Sequence, residues 1–175
     1  NELINIKVDE NNPKYFNYEN KMIIGKSSIE YKQFDCLEFC VRNIKTIKIQ
    51  NSIKYIQPSA FYRCDKLQRI DFEENSELQK IKSFSFLYSS IECFKCPVHL
   101  RKINKFAFAH CDKLKIVEIP ANSELKKIGK CAFVDAQIEY LSIPCHLTEI
   151  GEGAFRDCYM LRKVVIQENS ELETI

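Results

Sequence analysis

The stretch FAHCDKLKIVEI at residues 108–119 recurs as FYRCDKLQRIDF at 61–72 and as FRDCYMLRKVVI at 155–166. The copies lie 47 residues apart, and in each of them Phe is followed by Cys at +3, Leu at +6 and Ile or Val at +9. The match continues with Leu at +17 and Ile at +20. A fixed period of about 20 to 50 residues is typical of arrays whose units bury each other's apolar faces. The sequence therefore predicts a repeat solenoid.

A shorter half-repeat lies between the copies. Phenylalanines recur at intervals of 22, 25, 22, 25 and 22 residues, and we expect all six to stack in the interior: Phe39, Phe61, Phe86, Phe108, Phe133 and Phe155. Each half also carries an apolar-x-x-apolar-x-apolar segment, whose last step has strand periodicity. We expect these segments to form seven short parallel strands in one curved sheet, at 3–8, 44–49, 67–72, 91–96, 114–119, 138–143 and 161–166. Turns or short helices are expected on the opposite wall.

The first repeat contains 17 extra residues. Two apolar-aromatic runs, Tyr15-Phe16-Asn17-Tyr18 and Met22-Ile23-Ile24-Gly25, flank Glu19-Asn20-Lys21 in this excess and predict an inserted β-hairpin over residues 11–27. We expect residues 1–175 to form a single repeat domain. The chain stops in mid-repeat, and natural arrays carry polar capping units, so we also expect it to be part of a longer array.

Composition and charge exclude several classes of protein. The 26 basic and 24 acidic residues are interspersed and give a net charge of +2. This charge does not indicate binding to nucleic acid or to a membrane surface. No run reaches the roughly 18 consecutive apolar residues of a transmembrane helix, so we expect no direct membrane insertion of this segment.

The nine cysteines follow the repeat only in part. Cys64, Cys111 and Cys158 share one position and lie two rungs apart, about 10 Å at the usual strand spacing, which is too far for a disulfide. We expect them to be buried free thiols. The sequence leaves open one disulfide among Cys36, Cys40 and their neighbours.

Three segments carry a resemblance to a known family: FAFAHCDKLKIVEIP at 106–120, IGKCAFVDA at 128–136 and YLSIPCHLTEIGEGAFRDCYMLRKVVI at 140–166. They resemble the BspA-like leucine-rich repeats, found in surface proteins of parasitic protists and some bacteria. IKVDENNPKY at 6–15 looks like the element that introduces this family's hairpin. The resemblance implies a cell-surface or secreted protein that adheres to a host protein, a host cell or another microbe.

The outward positions of the predicted strands define the candidate binding face, because solenoids of this kind bind through the concave sheet. The third position holds Asn5, Thr46, Arg69, Cys93, Ile116, Tyr140 and Lys163, and the fifth holds Lys7, Lys48, Asp71, Lys95, Glu118, Ser142 and Val165. We select as binding residues Arg69, Ile116, Tyr140, Lys163 and Val165. The alternative is that the apolar members reflect β-propensity alone.

Two further features bear on this choice. Along the fifth position, charges alternate in sign, and neighbouring strands can satisfy them pairwise. The hairpin aromatics Tyr15, Phe16 and Tyr18 are a second candidate contact, unless they pack back on the sheet.

Catalytic patterns are missing from the sequence. His99 and His146 are one 47-residue unit apart, hence about 10 Å, which is too far to share a metal ion. Neither a Gly-rich phosphate loop nor a GxSxG elbow occurs. We therefore expect no enzyme, cofactor or metal site, but a non-enzymatic protein-binding module. An intracellular repeat scaffold is the alternative, because reducing compartments keep thiols free.

Overall fold

A computed structural model describes residues 6–175 of the chain, and within that range every regular element is a β-strand. The strands are, in chain order, β1 (Tyr15–Tyr18), β2 (Met22–Gly25), β3 (Cys36–Cys40), β4 (Thr46–Ile49), β5 (Tyr55–Ile56), β6 (Arg69–Phe72), β7 (Lys80–Ile81), β8 (Cys93–Lys95), β9 (Lys102–Ile103), β10 (Ile116–Glu118), β11 (Lys127–Ile128), β12 (Tyr140–Ile143), β13 (Glu149–Ile150) and β14 (Lys163–Ile166). The opposite wall consists of turns, with no helix among the described residues.

Each coil of the solenoid passes through two sheets and a wall of turns. The front sheet has six parallel strands in the order β14-β12-β10-β8-β6-β4. Its strands fall on six of the seven predicted segments. The predicted seventh begins at Leu3, outside the described residues, and residues 6–9 are not in a strand. The back sheet, in the order β1-β2-β3-β5-β7-β9-β11-β13, is additional to the single sheet that the repeat pattern predicts.

The turn wall is held together by rung-to-rung backbone hydrogen bonds. The amide of Phe86 donates to the carbonyl of Ala107 at 2.7 Å, and the amide of Phe108 donates to Ala132 at 2.7 Å. Each complete turn carries two residues with positive φ, placed two before and two after the inward-facing residue. Gly153 is the one glycine among these positions, so the tight turn is mostly made by residues for which this conformation carries strain.

Five of the six repeat phenylalanines form a stack behind this wall. The ring centroids are 4.7 Å apart for Phe61–Phe86, 4.6 Å for Phe86–Phe108, 5.1 Å for Phe108–Phe133 and 5.3 Å for Phe133–Phe155, and the rings are nearly parallel. The first four are fully buried and Phe155 is half-buried. One cluster of buried side chains runs from Met22 to Cys158 around them.

The prediction was wrong for the sixth phenylalanine, Phe39. It is half-buried outside the stack, with the guanidinium of Arg42 4.4 Å from its ring centroid. Cys40 occupies the position in its rung that a stacked phenylalanine occupies in the others. Its amide donates to the carbonyl of Ala60 in the next rung at 3.0 Å, just as the amide of Phe86 donates to the carbonyl of Ala107 in the next rung. In the β2–β3 pairing, Ile23 is opposite Phe39 and Ile24 is opposite Leu37, so Glu38 is an extra residue in β3 and accounts for this shift of one residue.

The predicted hairpin is confirmed. β1 and β2 pair antiparallel around Glu19 and Asn20, whose φ angles of 52° and 55° are those of the tight turns that match the twist of two strands. β2 also pairs antiparallel with β3, so the hairpin extends the back sheet rather than standing apart from it.

A glycine at the end of β11 allows two rungs to approach closely. A Cβ atom on Gly129 would lie 2.6 Å from the backbone nitrogen of Lys105 and 2.7 Å from the carbonyl carbon of Asn104. Because both atoms are backbone, the rung must move to admit a methyl group. We expect Gly129→Ala to lower the free energy of unfolding by about 2 to 3 kcal/mol in urea denaturation, as overpacking does.

Gly153→Ala is the matched control. Its Cβ would lie 3.4 Å from the nearest atom, the Cys131 sulfur, so only the positive φ of 63° opposes it. That strain costs about 1 kcal/mol. Equal losses in the two variants would show that the rungs at Gly129 are not this close.

Candidate functional site

The register of the front sheet places the predicted binding residues on one outer face. Thr46 pairs with Arg69, Arg69 with Cys93, Cys93 with Ile116, Ile116 with Tyr140 and Tyr140 with Lys163, as the repeat alignment predicts. Val165 pairs with Ser142 in the neighbouring column. Since adjacent strands are about 4.8 Å apart, Arg69 and Lys163 are separated by roughly 19 Å. Asn5, the predicted first member, lies outside the described residues.

Ile116 and Tyr140 form the apolar centre of this face. Ile116 is 50% exposed and Tyr140 is 47% exposed, whereas their chain neighbours Val117 and Leu141 point into the core. Val165 is half-buried in the adjacent column. Strand alternation explains the arrangement, because β10 and β12 must bury every second residue and so present the others to solvent.

The charged residues around this centre pair only in part as predicted. The Lys95 ammonium lies 3.2 Å from the Glu118 carboxylate on the next strand. Asp71 instead accepts hydrogen bonds from Arg69 on its own strand, at 2.7 Å. Arg69 is therefore already engaged, while the Lys163 ammonium has no partner among residues 6–175. Such exposed pairs contribute little to stability.

A shallow groove of about 600 Å³ crosses the face at the apolar centre. Ile116, Tyr140 and Pro120 supply its apolar lining, and Lys115 and Glu139 stand at its rim. A second hollow of about 410 Å³ shares Lys95 and Cys96 with it and continues toward β6. We name the first hollow the front groove.

Lys115 and Glu139 were not predicted. They occupy the second position of the strand segments, which also points outward, so they could have been predicted from the repeat alignment.

Cys93 lies on the same face, between Arg69 and Ile116 in the register. Burial raises the pKa of its thiol, and the Glu118 carboxylate raises it further. The thiol is therefore neutral near pH 7 and adds a small apolar surface to the face.

Packing back onto the protein, the alternative to acting as a contact, is found for Tyr18 and in part for Phe16. Tyr18 packs against the core cluster, and the ring of Phe16 lies 5.7 Å from that of Phe34. The Lys14 ammonium lies 5.2 Å from the ring centroid of Tyr15. Phe16 remains 49% exposed and is the hairpin's main free apolar side chain.

A row of side chains on the turn wall was missed by the sequence reasoning. The Arg63 guanidinium lies 5.7 Å from the Tyr88 ring, Tyr88 stacks on His110 at 4.9 Å, and His110 Nδ1 lies 3.2 Å from Asp135 Oδ2. Each of the four lies two residues after a stacked phenylalanine, so the row could have been predicted from the repeat alignment. Each member contacts the next, so the side chains of this row are engaged with one another.

The predicted equivalence of His99 and His146 is confirmed by their contacts. His99 Nδ1 lies 2.8 Å from Glu124, and His146 Nδ1 lies 3.0 Å from Glu171, the corresponding glutamate one repeat later. Within the range that the structure describes, no three His, Cys, Asp or Glu residues are grouped closely enough to hold a metal ion. No helix in that range is both long and apolar enough to cross a bilayer.

All nine cysteines are free, including Cys36 and Cys40. Burial raises the pKa of Cys96 and of Cys111 to about 12, so their reactive thiolate forms are scarce at pH 8. Cys93 and Cys145 are half-buried. We expect alkylation of the folded protein at pH 8 to label Cys145, to label Cys93 more slowly because its pKa is also raised, and to spare Cys96 and Cys111.

Peptide mapping by mass spectrometry measures that pattern. After unfolding without reductant, intact mass should show nine labels, one for each free cysteine. Fewer than nine labels would reveal a disulfide. Rapid labelling of Cys111 in the folded protein would show that its side chain is not packed in the core.

Comparison with known families agrees with this geometry. The family model for the BspA type leucine-rich repeat region matches residues 12–97 and 79–175, in six copies. The chain belongs to the BspA-type leucine-rich repeat family. The BspA-type repeat is a non-catalytic scaffold, and leucine-rich repeats typically serve protein interaction. A search of curated protein sequences finds no match.

Solved structures of bacterial repeat proteins are similar to this BspA-type chain. The pneumococcal vaccine antigen PcpA is 31% identical with a TM-score of 0.70, and the match covers 74% of this chain and 32% of PcpA. A leucine-rich repeat protein from Bacteroides ovatus is 23% identical with a TM-score of 0.65, over 91% of this chain and 40% of its own. The T. pallidum leucine-rich repeat protein is 22% identical with a TM-score of 0.69, over 91% and 71%. The last two show the fold alone.

Proposed function

We propose that this chain is a protein-binding module whose contact surface is the front groove. The observation that carries the proposal is the pairing of Ile116 with Tyr140, two half-exposed apolar side chains on adjacent strands of a rigid sheet. Aromatic and aliphatic anchors at the centre of a patch supply most of the energy of a protein interface. Lys115 and Glu139 at the rim then tune the association rate and its dependence on salt.

We infer that the module acts at the cell surface or after secretion, in adhesion to a host protein, a host cell or another microbe. Its similarity to the pneumococcal vaccine antigen PcpA supports this inference. The front sheet suits such a role, because its strands hold the outward side chains in fixed register with little entropy left to lose on binding.

A second candidate is an intracellular scaffold, and the nine free thiols favour it. Proteins of oxidising compartments usually form disulfides, whereas cytosolic proteins keep their cysteines reduced. Both candidates use the front groove as the contact surface, so they differ in location alone.

Antibody staining of intact and permeabilised cells separates the two candidates. Equal staining of intact and permeabilised cells is the result expected of a surface protein, and staining only after permeabilisation would favour the scaffold. Beads coated with the protein should in addition adhere to host cells or matrix protein. Beads coated with Ile116→Ser protein, whose fold is verified by circular dichroism, should adhere less, and equal adhesion would count against the front groove.

A further inference from the structure

The back sheet presents a band of basic residues that the repeat pattern alone did not reveal. Each rung of this sheet has a buried Leu or Ile, two outward residues and a buried Ile, as in Leu100-Arg101-Lys102-Ile103. Backbone pairing aligns the outward residues in two columns across five rungs. One column holds Lys54, Gln79, Arg101, Lys126 and Thr148, and the other holds Tyr55, Lys80, Lys102, Lys127 and Glu149.

Six of these ten residues are basic and one is acidic. Lys80 is in register with Lys102, and Lys102 is in register with Lys127, so three lysines lie side by side on successive strands. The net charge of the whole chain is only +2, which means that the columns concentrate positive charge far above the average of the surface. We name them the basic strip.

Half of the cations in the basic strip have acidic partners. Lys54 lies 3.4 Å from Glu77, Arg101 lies 3.0 Å from Glu124, and Lys127 pairs with Glu149. The ammonium groups of the other three, Lys80, Lys102 and Lys126, form no hydrogen bond or ion pair with any residue between 6 and 175.

Like charges opposite each other on neighbouring strands destabilise a sheet. At a strand spacing of about 4.8 Å, the lysines in register, Lys80, Lys102 and Lys127, repel one another. The acidic groups at the edges of the basic strip neutralise only part of this charge. Lys80, Lys102 and Lys126 find no negative charge among residues 6–175, so a partner molecule is the expected source of it.

We propose that the basic strip binds a linear polyanionic polysaccharide, such as a sulfated glycan. Its cations lie in two straight adjacent columns, which suits a narrow, extended chain with negative charges along its length. Gln79, between Lys54 and Arg101, offers a neutral amide to sugar hydroxyl groups. Tyr55 is the one aromatic residue in the columns, with the Lys82 ammonium 5.6 Å from its ring centroid, and single-stranded nucleic acid is disfavoured because it requires several aromatic side chains on which successive bases stack.

This site lies on the back sheet and is independent of the front groove. Heparin, a sulfated polysaccharide, is the probe, and its affinity is measured by titration at several salt concentrations. The test variant carries Lys80→Gln, Lys102→Gln and Lys126→Gln together. The matched control carries Lys45→Gln, Lys48→Gln and Lys113→Gln, which remove the same charge outside the basic strip. Lys48 lies in β4 of the front sheet and Lys45 directly precedes that strand.

We expect the test variant to bind heparin at least tenfold more weakly than the parent, with a shallower dependence on salt because fewer counterions are released. The control should stay within a factor of two or three. A variant with Arg at the three test positions should keep its affinity, and the thermal midpoint of the Gln variant should be unchanged or higher, because like-charge repulsion is removed.

Three results would overturn the proposal. Equal losses in the test and control variants would show that binding follows net charge alone. Tighter binding of single-stranded DNA, or of vesicles containing phosphatidylserine, than of heparin would assign the basic strip to another class of partner. A fall in the thermal midpoint of the Gln variant, without restoration in the Arg variant, would show that the lysines serve the fold.

Discussion

Phe108→Ala should lower the free energy of unfolding by about 3 to 5 kcal/mol, the loss typical of a fully buried phenylalanine. The ring is 0% exposed and lies between those of Phe86 at 4.6 Å and Phe133 at 5.1 Å, with Phe94 at 4.8 Å on a third side. Truncation leaves a cavity between rungs that the parallel strands cannot close, because their spacing is fixed by backbone hydrogen bonds. Urea denaturation with an unchanged m-value measures the loss.

Phe39→Ala is the matched control, since the sequence assigns Phe39 to the same series and the structure does not. Its half-buried ring contacts Arg42 rather than the phenylalanine stack, so we expect less than half of the loss found for Phe108. Equal losses of stability in the two variants would indicate that Phe39 belongs to the phenylalanine stack after all. An unchanged midpoint in Phe108→Ala would mean that the stack is not the core of the solenoid.

Tyr140→Ala should weaken binding of the protein's partner by about 2 kcal/mol, or roughly 30-fold, while leaving the thermal midpoint nearly unchanged. The side chain is 47% exposed on the front groove, whereas the inward residue beside it, Leu141, is 1% exposed. Truncation therefore removes contact area without opening a cavity. The measurement is adhesion to host cells or matrix protein, together with a thermal melt.

Tyr159→Ala serves as the control of the same residue type. Tyr159 is 81% exposed in the turn after Cys158, outside the front sheet, and should not affect binding. Phe16→Ala tests the hairpin without removing β2, which pairs with β3. Normal binding by Tyr140→Ala, together with loss in Phe16→Ala, would transfer the contact surface to the hairpin.

The front sheet was predictable because its register repeats. A 47-residue period, divided into halves of 22 and 25, aligns every outward position, and the pairing of Ile116 with Tyr140 and of Tyr140 with Lys163 follows directly. The hairpin was predictable because two apolar runs flank residues suited to a tight turn. The outward direction of Lys115 and Glu139 was readable from the same alignment, whereas the depth of the front groove depends on three-dimensional packing, which periodicity does not encode.

The back sheet was not predicted, although its residues were in the pattern. Leu78 and Ile81, like Leu125 and Ile128, lie at +17 and +20 of the repeat. Its regular strands are only two residues long, as in Lys80–Ile81, and alternation over two residues cannot be told from a turn. Phe39 was misassigned for a related reason: the extra residue in β3 shifts the register by one residue, and the interval of 22 residues between Phe39 and Phe61 concealed it.

Radical footprinting of the bound protein tests the front groove most directly. Hydroxyl radicals oxidise exposed side chains, and mass spectrometry compares each residue in the free protein and in the protein bound to host cells or matrix protein. We predict that oxidation of Ile116 and Tyr140 falls on binding, whereas oxidation of Phe16 and Tyr159 stays the same. Protection of Phe16 with undiminished oxidation of Tyr140 would contradict the assignment of the binding surface to the front sheet.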